Sequence, residues 1–237
     1  TYLFYLDDYS NVLGYIETDT IVGNYAVVQG YSRTGNSTMG YSVKVKLLMQ
    51  DGTSATYDVN LAASAVRLGL IAANADTSAK EEAMVQPGYF VAEDSFDSDP
   101  AVTHVVNHLF SYTLDNGVVT LMDPQNVNST LYTSSTLSDS SISRNTATYT
   151  TAAGDIVAND QTVFFIKDWD ASENSSDSFV VVGLANLPTT AVTVGNAIND
   201  NTDTPDVVNA DFQVAETIAY KAPGTTTWIA KAVFITT

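Results

Sequence analysis

Short runs of β-branched and aromatic residues, each ended by a cluster of Asp, Asn or Gly, recur throughout the sequence and limit the folds open to it. Such side chains suit a pleated, half-buried surface, whereas Asp-Gly and Asn-Gly accept the positive φ angles of tight hairpin turns. Runs and turns alternating at this spacing are typical of antiparallel sheets. We therefore predict an all-β fold of sandwich-like or barrel-like units built from hairpins, with one or two short helices.

Three hairpins are predicted in the first half of the chain. Their paired strands are residues 2–6 with 12–16, 41–49 with 55–59, and 109–114 with 118–121. Asp51-Gly52 in the second hairpin favours a type I′ turn, and Asn116-Gly117 in the third has the same chemistry.

Residues 61–85 are rich in Ala and have a helical pattern instead. Their apolar positions on one face are Leu61, Ala65, Leu68 and Ala72. Gly69 weakens a single long helix across this segment. The spacing of Ser78 and Glu81 is that of a capping box, which predicts a shorter helix that Pro87-Gly88 ends.

The second half of the chain is predicted to be a separate β-rich unit. Residues 126–158 are rich in Ser and Thr with weak periodicity, which is typical of exposed strands or a long connection. The predicted units are therefore residues 1–125, with the helical insertion, and residues 126–237. Further strands are predicted at residues 162–166, 179–184, 191–194, 217–220 and 228–235, with acidic loops at 168–177 and 199–206.

The charge balance limits the partners of the chain. Its 27 acidic residues outnumber 9 Lys and Arg, for a formal net charge of −18, which repels nucleic acid and anionic membrane surfaces. Its apolar runs are too short to predict insertion into a membrane. Carboxylates at this density either serve solubility or bind divalent cations, of which Ca²⁺ prefers oxygen ligands. Without cysteine, neither disulfides nor thiolate zinc sites are available.

Calcium is the one cofactor that the motifs suggest. Asp168, Asp170 and Glu173 place carboxylates near alternate positions, as at the start of a Ca²⁺-binding loop. The segment lacks the central Gly and the distal Glu of an EF-hand loop, so an ordinary acidic hairpin loop is the competing interpretation.

No catalytic residue is predicted. His104 and His108 have the spacing of the zinc-protease motif, but Val105 replaces its general-base Glu. If residues 99–108 form a helix rather than a strand, Asp97 or Asp99 would complete a metal site; two partly exposed histidines are the simpler interpretation. Paired carboxylates are common in so acidic a chain, and none is singled out as a glycosidase pair.

An ordered series of segments resembles the extracellular regions of Gram-positive surface proteins that carry S-layer homology anchoring modules. The matching segments are residues 5–16 (Tyr-Leu-Asp-Asp-Tyr-Ser-Asn-Val-Leu-Gly-Tyr-Ile), 43–53, 110–121, 159–166, 182–188 and 232–235. The resemblance implies an extracellular location at the cell surface or cell wall, and it supplies no catalytic residues. The chain opens with Thr1 and the strand-like run at residues 2–6, which suggests a piece of a longer protein.

The function predicted from the sequence is that of a non-catalytic structural module that associates laterally with itself in a surface layer. The alternative is an adhesin or carbohydrate-binding module for cell-wall glycans, which would need an exposed aromatic patch or a concave polar site. A glycan-processing enzyme is the third hypothesis and requires a cleft with two facing carboxylates.

Overall fold

A computed structural model describes residues 2–6, 12–17, 24–85, 90, 105–123, 131–135, 141–142, 148–151, 154–170, 175–187, 212–221 and 227–236. The strands in these ranges are β1 (Tyr2–Leu6), β2 (Val12–Glu17), β3 (Asn24–Asn36), β4 (Gly40–Met49), β5 (Ser54–Val59), β6 (Leu109–Asp115), β7 (Val118–Met122), β8 (Leu131–Ser135), β9 (Ser141–Ile142), β10 (Thr148–Thr151), β11 (Gly154–Val157), β12 (Val163–Asp170), β13 (Ser175–Val182), β14 (Phe212–Lys221) and β15 (Trp228–Thr236). The helices are α1 (Leu61–Arg67), α2 (Thr77–Val85) and a 3-10 helix (Leu184–Asn186). The predicted all-β fold with two short α-helices is confirmed.

Five strands form a closed barrel in the order β3-β4-β5-β7-β6. All of its pairs are antiparallel except β5 with β7, which lie parallel. The two α-helices connect β5 to β6, and their apolar residues join the barrel core, which includes Val45, Leu47, Leu61, Met84 and Leu121. The helices therefore belong to the same hydrophobic core as the strands.

Polar contacts at two places attach the helices to the barrel. The backbone N–H of Leu121 on β7 donates to the hydroxyl of Ser64 on α1 at 3.0 Å. At the end of α2, the Arg33 guanidinium donates to the carbonyl oxygens of Val85 and Phe90 at 3.5 and 3.3 Å. Carbonyl groups at a helix C-terminus lack partners within the helix, so the cation on β3 stabilises this end.

The remaining large element is an eight-stranded sheet with β15 at its centre. On one side β15 pairs antiparallel with β14, which pairs in turn with β8 and β9. On the other side β15 pairs in parallel first with β11 and then with β12. Beyond these lie β10 and β13, and β9 approaches β10, so this end of the sheet curls around its own core.

The hairpin predictions agree with the strand pairing. β1 pairs with β2, β4 with β5, and β6 with β7, all antiparallel. Asn116 and Gly117 have φ angles of 50° and 83°, which confirms the type I′ turn between β6 and β7. The type I′ prediction for Asp51-Gly52 is wrong, because Gly52 alone has a positive φ and Asp51 instead accepts hydrogen bonds from the Thr53 hydroxyl and backbone N–H. These bonds hold the pKa of Asp51 below its usual value.

Both helical predictions are confirmed in position, although the predicted cap is wrong. Gly69, with a φ of 76°, follows the end of α1. α2 begins at Thr77, and its cap is Asp76 rather than Ser78. The Asp76 carboxylate accepts the backbone N–H of Ala79 at 2.8 Å and the Ser78 hydroxyl at 2.9 Å, so Ser78 is already inside the first turn.

In the second half, the strand predictions at 162–166, 217–220 and 228–235 are confirmed by β12, β14 and β15. The acidic loop predicted at 168–177 is wrong at both ends, because β12 continues to Asp170 and Asp168 lies opposite Asp177 in β13; residues 171–174 lie outside the described residues. Residues 126–158 contain four strands rather than one long connection. Residues 191–194, 199–206 and the predicted boundary at 125/126 lie outside the described residues.

Replacing Gly35 by Ala is expected to destabilise the β3-β4 hairpin strongly. An added Cβ would lie 2.1 Å from the carbonyl oxygen of Gly40, and the residue has a φ of 92°. Strain and overlap together predict a loss of about 3 kcal/mol in the free energy of unfolding. Gly52→Ala is the matched control, since its φ is also positive but its Cβ would meet no atom within 4 Å; a loss of about 1 kcal/mol is expected. Equal losses in urea unfolding would contradict the argument.

The cap of α2 predicts a pH dependence of stability. The N–H of Ala79 and the hydroxyl of Ser78 lower the pKa of Asp76, so its ionised form is favoured in the folded state. The cap therefore adds stability above the unfolded-state pKa of about 4, and the gain is lost as pH falls through the lower folded-state value. Asp76→Ala should melt earlier than wild type at pH 7, with the gap closing below pH 4. Asp76→Asn can cap the helix but does not titrate, so the difference in melting temperature between Asp76→Asn and Asp76→Ala should not close below pH 4.

Candidate functional site at the joint between barrel and sheet

The barrel and the sheet share an apolar joint in addition to their own cores. We call this set the joint cluster: Tyr25, Val27, Leu48 and Leu109 from the barrel, and Phe165, Ile218, Ala232 and Phe234 from the sheet. Every member is at most 7% exposed, so the contact excludes water from both surfaces. Two units that bury such a surface form one packed body.

Strand alternation explains how the same strands serve two cores. Successive side chains of a strand point to opposite faces. On β12, Phe164 and Ile166 lie in the core of the sheet, whereas Phe165 lies in the joint cluster. On β15, Val233 and Phe234 divide in the same way. Their continuous apolar sequences are therefore the sequences of strands that are buried on both faces.

A carboxylate crosses this joint. The side chain of Glu216 on β14 is 12% exposed. Its Oε1 binds Nδ1 of His108, and its Oε2 accepts the backbone N–H of Leu109, the first residue of β6. Both oxygens of one sheet residue thus hold consecutive residues of the barrel. Hydrogen bonds to a charged acceptor are the stronger kind, and they fix direction as well as distance.

The turn that carries His108 is bound on two sides. The N–H of Asn107 donates to the carbonyl of Val28 at 2.8 Å, and the N–H of Val28 donates to the carbonyl of His108 at 3.2 Å. From the sheet, the Lys167 ammonium donates to the side-chain oxygen of Asn107 at 3.2 Å. Asn107 has a φ of 64°, which is why the chain turns here and why neither the helix nor the strand predicted through residues 105–108 forms.

A β-bulge directs Glu216 to the barrel. In the pairing of β14 with β15, Val214 lies opposite Ile235 but Glu216 lies opposite Phe234, so Ala215 is the extra residue. Opposite residues of an antiparallel pair share a face. Phe234 faces the joint cluster, and Glu216 therefore does too. Bulges commonly re-aim one side chain in this manner.

The residues predicted to bind metal are not brought together by the described structure. Asp168 and Asp170 lie on β12, while Glu173, His104, Asp97 and Asp99 lie outside the described residues. Within the described ranges, no group of three His, Asp or Glu residues could hold a metal ion. The calcium site at Asp168, Asp170 and Glu173 therefore stays a prediction.

The polar groups at the joint hold the barrel and the sheet together. Glu216 uses one oxygen for an imidazole and the other for a backbone amide, so neither His108 nor Leu109 can move away without breaking a charge-assisted bond. The side chain of Trp228 packs partly buried against the core of the sheet. A side chain in that position contributes to packing.

Comparison with known proteins finds no family model, no curated protein and no solved structure that matches the chain. The similarity to surface-layer proteins therefore stays an expectation from the sequence. In the part of the chain that the structure describes, no helix is both long and apolar enough to span a membrane.

Glu216→Ala is expected to weaken the joint. The change removes both acceptors and leaves the Leu109 N–H unsatisfied at a partly buried position, which predicts a loss of about 3 kcal/mol in the free energy of unfolding. Glu216→Gln keeps one carbonyl oxygen and should lose about half as much.

Lys44→Ala is the control, because it removes an ion pair that lies outside the joint. Lys44 lies 2.9 Å from Asp58 on the barrel surface, where both side chains are more than half exposed. This change should cost less than about 1 kcal/mol in the same urea titration. A Glu216→Ala variant as stable as Lys44→Ala would show that the carboxylate does not hold the joint.

Proposed function

We propose that the chain is a structural, non-catalytic module of a bacterial cell-surface protein, which associates laterally with copies of itself at the extracellular surface or cell wall. The observation that supports this proposal best is the joint: an apolar contact between two β units, with a two-oxygen carboxylate bridge across it. The sequence resemblance described above points in the same direction.

A joint of this kind gives the barrel and the sheet one fixed relative orientation. Apolar contact alone is non-directional, whereas the Glu216 bonds specify that His108 and Leu109, at the start of β6, meet β14. An ordered array needs contact surfaces at constant angles, because a heterologous contact repeats through every copy of the array. A module whose barrel and sheet keep one relative orientation meets that requirement.

The acidic surface sets the conditions for assembly. With a formal net charge of −18, two copies repel each other at low ionic strength. Divalent cations that bind carboxylates would remove part of this repulsion, and the calcium site predicted at Asp168, Asp170 and Glu173 is one place for them. We therefore propose Ca²⁺ as the ion that favours association.

Purified chain in millimolar Ca²⁺ is expected to sediment as large assemblies and to form sheets or filaments in negative stain. Chelation should return it to monomers, because the carboxylates then repel again. An Asp168→Asn/Asp170→Asn variant should need more Ca²⁺, with Asp115→Asn as a matched control in a barrel turn.

A chain that stays monomeric with and without Ca²⁺ would contradict the proposal. That result would favour the adhesin or carbohydrate-binding alternative, for which binding to purified cell-wall glycans is the direct measurement.

A further inference from the structure

We infer that copies of this chain join edge to edge, with β13 of one copy pairing with β8 of the next, so that the eight-stranded sheet continues from molecule to molecule. The inference rests on the self-association proposed above. It specifies the surface that carries it and identifies the partner as a second copy of the chain.

The sheet has two outermost strands at the end next to the barrel. The order there is β8-β14-β15-β12-β13, and within the described residues β8 pairs only with β14 and β13 only with β12. The other two outer strands, β9 and β10, approach each other where the sheet curls. Outermost strands present unpaired backbone N–H and C=O groups that can bind another strand.

Neither outer strand has the features that commonly prevent such pairing. Charged side chains, Lys above all, and Pro are the usual protection of an edge strand. β8 has the sequence Leu-Tyr-Thr-Ser-Ser and β13 the sequence Ser-Ser-Asp-Ser-Phe-Val-Val-Val, with Asp177 as the single charge. Val182 at the end of β13 is 48% exposed. Among the described residues neither edge has a second strand partner, and both edges are almost uncharged.

The low charge of these two edges favours contact between copies there. Two copies with a net charge of −18 each repel most where carboxylates face carboxylates. A β13-β8 contact brings together thirteen strand residues that carry one carboxylate between them. It is thus a contact at which two copies can approach with little local repulsion.

The strand directions match without any rotation of the second copy. β14 runs opposite to β15 and β8 runs opposite to β14, so β8 and β15 have the same direction. β12 is parallel to β15 and β13 runs opposite to β12, so β13 has the reverse direction. A copy displaced sideways therefore places its β8 antiparallel to β13 of its neighbour. Such a head-to-tail contact does not close on itself and generates an open row.

Proline substitutions test the contact because proline removes a backbone donor. N–H groups alternate in direction along a strand, so one of Val180→Pro and Val181→Pro removes a donor that points away from β12. Thr133→Pro and Ser134→Pro form the equivalent pair on β8. In each pair, the variant with the melting temperature closer to wild type is used. Leu114→Ser, at an exposed apolar site on the closed barrel, is the control and should assemble normally.

Each edge variant alone is expected to be monomeric in Ca²⁺ by analytical ultracentrifugation, since every β13-β8 contact would contain one proline. An equimolar mixture should form a dimer and nothing larger, because one intact β13 then meets one intact β8. If the β8 variant assembles by itself while the β13 variant does not, the contact is β13 with β13 and the inference is wrong. Assembly of both variants at the wild-type level also overturns it.

Amide hydrogen exchange on the unmodified chain gives an independent readout that does not depend on the variants folding. On addition of Ca²⁺, amides of β8 and β13 should gain at least tenfold protection, while exposed amides of the barrel turn at Asn116-Gly117 should not change. Assembly without added protection in these two strands refutes the edge contact but leaves the proposed function in place. Absence of any assembly refutes both.

Discussion

Phe165 and Phe234 are buried against the barrel, while the residues on either side of each in sequence are buried in the core of the sheet. Complete burial of a large apolar side chain stabilises by about 1.5–3 kcal/mol, so separating the two units would lose several such contributions at once. The central strands of the sheet are thus covered on one side by the barrel. The arrangement of the sheet depends on that contact, because the barrel is the layer that covers one of its faces.

Glu216 supplies what apolar contact lacks. Hydrophobic burial tolerates small rotations of one surface over another, whereas a carboxylate that accepts from an imidazole and from the adjacent amide requires one arrangement. The bulge at Ala215 turns this side chain from the sheet to the barrel, and the left-handed turn at Asn107 presents the two donors. Two local irregularities, each costly alone, therefore combine in one directional contact.

Much of this fold could be predicted from turn chemistry. Asn-Gly and Asp-Gly mark hairpins because few other residues accept positive φ, and the strands beside them were found with small errors at their ends. β3 was missed, since Gly30 follows a bulge at Gln29 and the polar residues beyond it interrupt the alternation. Residues 168–170 and 175–177, predicted as loop, are strand because the pairing of β12 with β13 continues beyond the last residue that β12 pairs with β15.

The joint lay beyond sequence-based prediction for a different reason. A continuous apolar run such as Val163 to Ile166 indicates burial on both faces but not what covers each face. Glu216 is a single acidic residue among 27, and only the bulge, a tertiary feature, gives it a role. His108 was noticed for its spacing to His104, whereas its contact with Glu216 spans 108 positions.

The position of β15 in the chain has a consequence for biosynthesis. This strand holds together β11, β12 and β14, yet it follows all of them in sequence. During translation, every strand of the barrel leaves the ribosome more than a hundred residues before Trp228, with Tyr25, Val27 and Leu48 still uncovered. The nascent chain therefore exposes an apolar surface until its last described strand arrives, a condition that favours aggregation and chaperone binding before folding is complete.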